Sequence, residues 1–335
     1  MNKVGLGIVG LGYMGRVHLR NSLKLPNVRL VAVSDVSRKA LNLAKKTGVK
    51  KTYTSYEQLL NDPEVDCVVV SLPTHFHLEC AKKAAEAKKH IFLEKPMARN
   101  VEEAMEIIST AQRNSVKLMI GYPLHFSPPF RTLREEVRSG ALGIVEFAFA
   151  ANISSGPFFH RTEEYVPTPV PEWWFDKELT GGGALLDLGS HMINLLRWYF
   201  GEITNIRSHL GHRFNMDFED SATCLAKFES GTRAVISVGW FSQDFKVEVE
   251  LYGTVKHASC RDPPSNRSSN ALSPVLKAIQ MLTMGNSRFF WPQFAELQYF
   301  TSCLLRDKSP SPSGEDGLKD LEIIEQAYKN QISLN

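Results

Sequence analysis

A chain of 335 residues with 43% hydrophobic and 22% charged positions is too long for one small core and suits two domains of about 100–200 residues each. Its 39 Lys+Arg against 36 Asp+Glu leave a formal charge of +3 without a basic run, which excludes both a disordered composition and the electrostatic footprint of a nucleic-acid or acidic-membrane binder. The five cysteines are far apart and never paired as Cys-x-x-Cys, so neither a disulfide framework nor a structural zinc site is expected. No apolar run approaches the roughly 20 residues of a membrane span and no leader-like segment opens the chain, so a cytoplasmic protein is expected.

The first 122 residues alternate β-branched runs with helix-period segments, the pattern of βαβ units on a parallel sheet. Strands are predicted at 4–9, 29–34, 67–72, 90–93 and 117–121, several of them apolar without alternation, as expected of strands covered on both faces. Helices are predicted at 56–60, 78–87 and 101–112, the last behind Asn100 as N-cap. After Tyr122 the texture changes. Ser127-Pro128-Pro129 opens a helix that Gly140 closes, and the later strands, 144–154, 203–210, 221–229, 232–241 and 246–252, read as antiparallel, with Glu229-Ser230-Gly231-Thr232 as a hairpin turn. Residues 152–180 and 262–273 read as loops, and helices at 292–305 and 315–332 finish the chain. The expected domains are 1–122 and 123–335.

Gly10-Leu11-Gly12-Tyr13-Met14-Gly15 directly follows the first strand and fits Gly-x-Gly-x-x-Gly, whose glycines allow a tight turn, close approach of a diphosphate and helix packing. Glycines at 5, 7 and 10 repeat the spacing but leave too short a strand before them. Asp35 lies 20 residues past Gly15 at the end of the second strand, where an acid hydrogen-bonds the adenosine ribose. A carboxylate there disfavours a 2′-phosphate by on the order of 1–4 kcal/mol, so NAD is expected over NADP, with Arg38 and Lys39 able to soften the repulsion. Leu72-Pro73-Thr74-His75-Phe76-His77 stands at the carboxyl edge of the sheet, where dinucleotides bind. Its histidine pair has no third ligand close in sequence, so no metal is expected. Lys95 of Glu94-Lys95-Pro96 either faces the cofactor or is a solvated loop lysine.

Gly181-Gly182-Gly183 leads into a largely apolar helix in which Asp187, His191, Asn194 and Trp198 recur at i, i+4, i+7 and i+11. Burying a carboxylate and an imidazole is costly unless they pair or serve a site, so the stripe is expected to line a cleft, the alternative being a satisfied core pair. With an unperturbed pKa of about 6.5, His191 is the natural base.

In the glycine turn with Asp35, Pro73–His77 segment, Glu94-Lys95-Pro96, Gly121-Tyr122 and Asp187-x-Gly-x-His191, the chain resembles the Gfo/Idh/MocA oxidoreductases over nearly its whole length. The resemblance implies an α/β Rossmann domain with a doubly wound parallel sheet, followed by an α+β domain on an open, mostly antiparallel sheet that commonly builds homodimers or homotetramers. It implies NAD(P)-dependent oxidation or reduction of a secondary alcohol on a sugar, cyclitol or nucleotide sugar, and the charge balance adds the expectation of no nucleic-acid or membrane partner. Carried over by position, Lys95, Asp187 and His191 are the catalytic candidates. Gly10, Gly12, Tyr13, Met14, Gly15, Asp35, Arg38, Leu72, Pro73, Thr74, His77, Glu94 and Lys95 are the cofactor contacts. Tyr122, His160, Arg161 and Trp173 join the catalytic three around the substrate, and Arg131, Arg134 or Arg161 are the cations a substrate phosphate needs. Thr74 stands where many members carry Asn. Two alternatives remain at this point: a non-catalytic NAD(P)-sensing protein, and a transient-oxidation glycosidase.

Overall fold

The computed structural model describes residues 3–157, 170–214, 216–242, 244–262 and 291–333. Contacts divide the chain into two compact units that interleave along it. One takes Met1–Pro123, Glu178–Gly181 and Gln293–Lys319, and the other takes Leu124–Lys177, Gly182–Pro292 and Asp320–Asn335. The chain-order grouping at 122/123 therefore differs from the spatial one: the 293–319 stretch packs with the first unit.

The first unit is a six-stranded sheet in the order β3-β2-β1-β4-β5-β6, with every pairing parallel. Its strands are β1 (Val4–Val9), β2 (Val28–Ser34), β3 (Lys51–Tyr53), β4 (Cys67–Val70), β5 (His90–Glu94) and β6 (Leu118–Gly121). This is the doubly wound order whose carboxyl edge carries the ligand at the switch between β1 and β4. β1 and β4 are buried at every position, which is why they read as unbroken apolar runs. The three-residue β3, half-buried throughout, is too short and too polar to be visible in the sequence. Helices α1 (Tyr13–Ser22), α2 (Arg38–Lys45), α3 (Tyr56–Leu60), α4 (His77–Glu86) and α5 (Val101–Arg113) cover the sheet. The Asn100 side chain accepts a 2.9 Å bond from Glu103 N–H at the start of α5, as its N-cap position requires.

The second unit is built on a mixed sheet in the order β12-β11-β7-β10-β9-β8, in which only β7 and β10 run parallel. Its strands are β7 (Val145–Ile153), β8 (Ile203–Gly211), β9 (Ser221–Phe228), β10 (Arg233–Gly239), β11 (Lys246–Gly253) and β12 (His257–Asp262). β9 alternates buried and open positions, the signature of a sheet with one covered face. Gly231, at φ +90°, closes the β9–β10 hairpin in a left-handed conformation that glycine adopts at little cost. α6 (Pro128–Arg138), the single turn α7 (Lys177–Thr180) and α8 (Ser190–Phe200) precede the last two helices, α9 (Trp291–Leu305) and α10 (Gly314–Lys329). The expected 152–180 loop begins inside β7 and contains a 3-10 turn at Glu172–Phe175. Its centre, with His160 and Arg161, lies outside the described residues, as does most of 262–273.

Beneath α8, His125, Trp198 and Arg134 form a stack. The His125 ring lies 4.2 Å from Trp198 at 16°, and the Arg134 guanidinium sits 4.0 Å from the Trp198 centroid. Burial, helped by the positive charge of Arg134, pushes the His125 pKa down to about 3. Arg134 also donates to the Trp198 carbonyl at 3.1 Å, so this candidate phosphate cation is committed to holding the stack.

Candidate cofactor and active site

The glycine turn of the first unit is shaped by three different constraints. Gly10 has φ +87°, and a Cβ there would lie 2.5 Å from the Ser71 carbonyl oxygen. A Cβ on Gly15 would lie 1.9 Å from the Gly10 carbonyl oxygen, so α1 can start this close to β1 only with glycine. A Cβ on Gly12 would meet nothing within 4 Å. It would project into open space at the N-terminus of a ten-residue helix that has neither a side-chain cap nor an acid in its first turn. Uncapped N–H groups facing an open cradle suit a diphosphate. Asp35 sits beside this turn, its two carboxylate oxygens accepting from Leu11 N–H at 2.6 Å and Ser37 N–H at 2.7 Å. It thereby ties the glycine turn to the start of α2, and each oxygen keeps a lone pair for a ribose hydroxyl. Arg38 is exposed as the first residue of α2.

Along the same carboxyl edge, Leu72 and Pro73 are half-buried and Thr74 is buried in a 3-10 turn. His77 is fully buried, with Nδ1 3.0 Å from the Pro96 carbonyl oxygen and Nε2 2.9 Å from that of Leu72. Burial holds its pKa below the ordinary imidazole range. The single N–H of the neutral ring donates to one of these two carbonyls while the other nitrogen lies against the second, so His77 sits between the β4 turn and the β5 turn. Lys95 is half-buried immediately after β5, ahead of a cis Lys95–Pro96 peptide. Glu94 points inward, 7% exposed, with Oε1 2.6 Å from His18 Nε2. Tyr122, just past β6, is buried.

In the second unit, Asp187 lies within a π-turn at Leu185–Gly189 that runs into α8, where His191 follows. From Gly182 to Leu196 every residue is buried except these two. The widened turn leaves backbone carbonyls without their usual α-helical donors, and Asn152 of β7 donates to that of Leu188 at 3.3 Å. The expected polar stripe therefore splits. Asp187 and His191 stay half-exposed, Asn194 is buried and donates to Asp320 of α10 at 2.7 Å, and Trp198 belongs to the aromatic stack. α10 covers the face of α8 one turn beyond His191, which removes Asn194 from any cleft. Trp173 is half-buried and packs against Trp174, centroids 5.5 Å apart.

Two residues that the sequence did not single out hold Asp187 and its turn in place. The Trp240 indole N–H donates to Asp187 Oδ2 at 3.2 Å. Glu219 Oε1 accepts from Gly183 N–H (3.1 Å), Leu185 N–H (2.9 Å) and the Tyr328 hydroxyl (2.9 Å), capping the turn that delivers Asp187. Its burial outweighs those three donors and raises its pKa.

A parallel nucleotide-binding unit and a second unit presenting a half-exposed Asp/His pair define a dinucleotide-dependent oxidoreductase. The family model "Oxidoreductase family, NAD-binding Rossmann fold" matches residues 4–122, and "GFO/IDH/MocA C-terminal domain" matches residues 130–258. The chain is 33% identical over 299 residues to the rhizopine catabolism protein MocA of Rhizobium meliloti, covering 86% of this chain and 89% of that protein. It is 27% identical to myo-inositol 2-dehydrogenase of Thermotoga maritima, covering 97% and 95% of the two chains. In fold it superimposes on scyllo-inositol dehydrogenase from Lactobacillus casei with bound NAD(H) and scyllo-inositol, with a TM-score of 0.78 at 20% identity over 98% and 97% of the chains. The chain belongs to the Gfo/Idh/MocA oxidoreductases. It is an oxidoreductase with an NAD-binding Rossmann domain, and the Gly12 cradle with Asp35 fits that cofactor.

Proposed function

We propose that this enzyme oxidises or reduces a secondary alcohol of a sugar or cyclitol, with Lys95, Asp187 and His191 as its catalytic residues. NAD, when bound, takes up the hydride released from the carbon that bears the hydroxyl. An imidazole nitrogen of His191 accepts the hydroxyl proton, which an imidazole can do near neutral pH. The Lys95 ammonium stabilises the negative charge that develops on the oxygen. Asp187, held by Trp240, accepts a hydrogen bond from a substrate hydroxyl and orients it. Cofactor contacts are assigned to Gly10, Gly12, Tyr13, Met14, Gly15, Asp35, Arg38, Leu72, Pro73, Thr74 and Lys95. Tyr122 and Trp173 are assigned to the walls of the substrate site, and His160 and Arg161 remain sequence candidates for it. The named activities of the relatives on inositols favour a polyol over a nucleotide sugar, and the commitment of Arg134 to its aromatic stack removes one candidate phosphate ligand.

The observation that carries this reading is the exposure pattern of the 182–196 segment, where an otherwise buried helix opens only at an acid and an imidazole. The test is NADH formation at 340 nm with a panel of inositols and free sugars. Lys95→Ala and His191→Ala are expected to lose turnover by ~100-fold or more, with NADH binding by fluorescence kept in the histidine variant. Wild-type turnover in either variant refutes the role given to that residue. Tight NAD binding without net NADH from any polyol favours a sensing or transient-oxidation protein instead.

A further inference from the structure

Within the first unit, a buried cluster of titratable side chains lies behind the strand end that carries Lys95. His18 of α1, Glu94 of β5 and Glu296 of α9 each bring one nitrogen or oxygen within 4.8 Å of the others. His18 and Glu296 are both 0% exposed. Neither Glu296 oxygen nor His18 Nδ1 has a hydrogen-bond partner among the described residues, while His18 Nε2 and Glu94 Oε1 are 2.6 Å apart. The packing around them is apolar. Phe92, on the same face of β5 as Glu94, meets the His18 ring edge-on at 5.2 Å and Phe300 at 5.7 Å, and Phe300 stands one helical turn beyond Glu296. On the other side, a Cβ on Gly121 would come within 3.3 Å of Glu94 Oε2, so the glycine of β6 leaves room for that carboxylate.

We propose that His18 and Glu296 are positioning residues that grip Glu94 from two helices and so fix the strand end presenting Lys95, an inference that rests on the role proposed above for the lysine. Glu94 is the last residue of β5, directly before Lys95, so anchoring its side chain restricts the strand end from which the lysine projects. α1 also carries the glycine turn, so the His18–Glu94 bond couples the diphosphate-binding helix to the lysine strand. Two ionised carboxylates cannot share a dry pocket this small without a severe desolvation and repulsion penalty. Burial, reinforced by the charge of Glu94, pushes the Glu296 carboxyl well above the usual range. Glu296 therefore carries its proton, with one of its oxygens within 4.8 Å of the His18 nitrogen and the Glu94 oxygen. A divalent cation is the competing occupant. Two atoms bound to one ion through bonds of about 2.1 Å stand about 3 Å or more apart, whereas His18 and Glu94 are at hydrogen-bond distance.

Three measurements on the full-length protein test this. The infrared spectrum of the cofactor-free protein at neutral pH should contain the carbonyl band of a protonated carboxylic acid that disappears in Glu296→Gln. Because a neutral amide replaces a neutral acid, Glu296→Gln should keep more than about half of wild-type kcat. Glu296→Leu should lose about tenfold or more in kcat, with the NADH dissociation constant changed less than about threefold. Absence of the band, or a glutamine variant as impaired as the leucine variant, overturns the proposal even if the leucine variant does not fold. Wild-type kcat in Glu296→Leu while Lys95→Ala is inactive overturns the positioning role alone. Full turnover in Lys95→Ala sinks the lysine assignment and this inference with it. One equivalent of divalent metal in the purified protein, found by mass spectrometry, places an ion in the cluster and also overturns the proposal.

Discussion

His125 offers a quantitative handle on the second unit. Its ring is folded as a neutral base, with a pKa of about 3 against about 6.5 in an unfolded chain. Between those values the unfolded state binds the extra proton, so the sign is fixed: stability contributed by His125 is full above pH 6.5 and falls as pH drops toward 3. Going from pH 7 to pH 5 costs about 2 kcal/mol, because the unfolded imidazole gains about 1.5 pH units of protonation at about 1.36 kcal/mol each. That figure depends little on the folded value, provided it lies well below 5. His125→Phe keeps an aromatic ring against Trp198 and removes the titration. Urea unfolding of both proteins at pH 7 and pH 5 should show the variant losing about 2 kcal/mol less than the wild type between the two pH values, whatever its absolute stability. Other acid-sensitive groups such as His77 act equally on both proteins and cancel in the comparison. An identical pH dependence in the two proteins would refute the assignment of His125 as a buried neutral base.

The glycine turn separates folding from binding. Gly12→Ala should leave the melting temperature unchanged and weaken NADH binding by about tenfold or more, as its methyl enters the cradle, whereas Gly15→Ala should destabilise the fold itself. Equal effects of the two on melting would contradict the geometry described here. Trp240→Phe removes the indole donor to Asp187 and should lower kcat by about tenfold, a hydrogen bond to a charged group contributing about 1.5–3 kcal/mol, with NADH binding retained. Asp35→Ala should shift the ratio of NAD to NADP affinities toward NADP by about tenfold or more, and an unchanged ratio in fluorescence titrations would remove Asp35 from cofactor discrimination.

What the sequence revealed of the site follows how local its contacts are. The glycine turn and the strand ends that carry Asp35 and Lys95 were legible as elements because a strand end, a tight turn and a helix start are written in adjacent residues. The parallel sheet was legible because strands buried on both faces are apolar without alternation. Trp240 and Glu219 were not. Each reaches its partner across 53 or 36 residues of chain, and nothing beside either residue in the sequence marks it as a support. The π-turn was hidden for a related reason: the apolar spacing of 185–196 suits an ordinary helix, and the widened turn is satisfied by Asn152 from a strand more than thirty residues earlier. The stripe that included Asn194 failed because periodicity reports a face but not what covers it. In this fold α10 covers that face, through Asp320.

The return of Gln293–Lys319 to the first unit bears on any attempt to dissect the enzyme. A fragment ending at Tyr122 has all six strands and the whole glycine turn, yet it leaves Phe92 without Phe300 and uncaps the backbone of β6, whose Ile120 N–H donates to Pro312 at 3.0 Å. A fragment of residues 1–122 therefore lacks contacts that the first unit makes with its distant closing segment. Grafting the unit elsewhere means carrying that segment along.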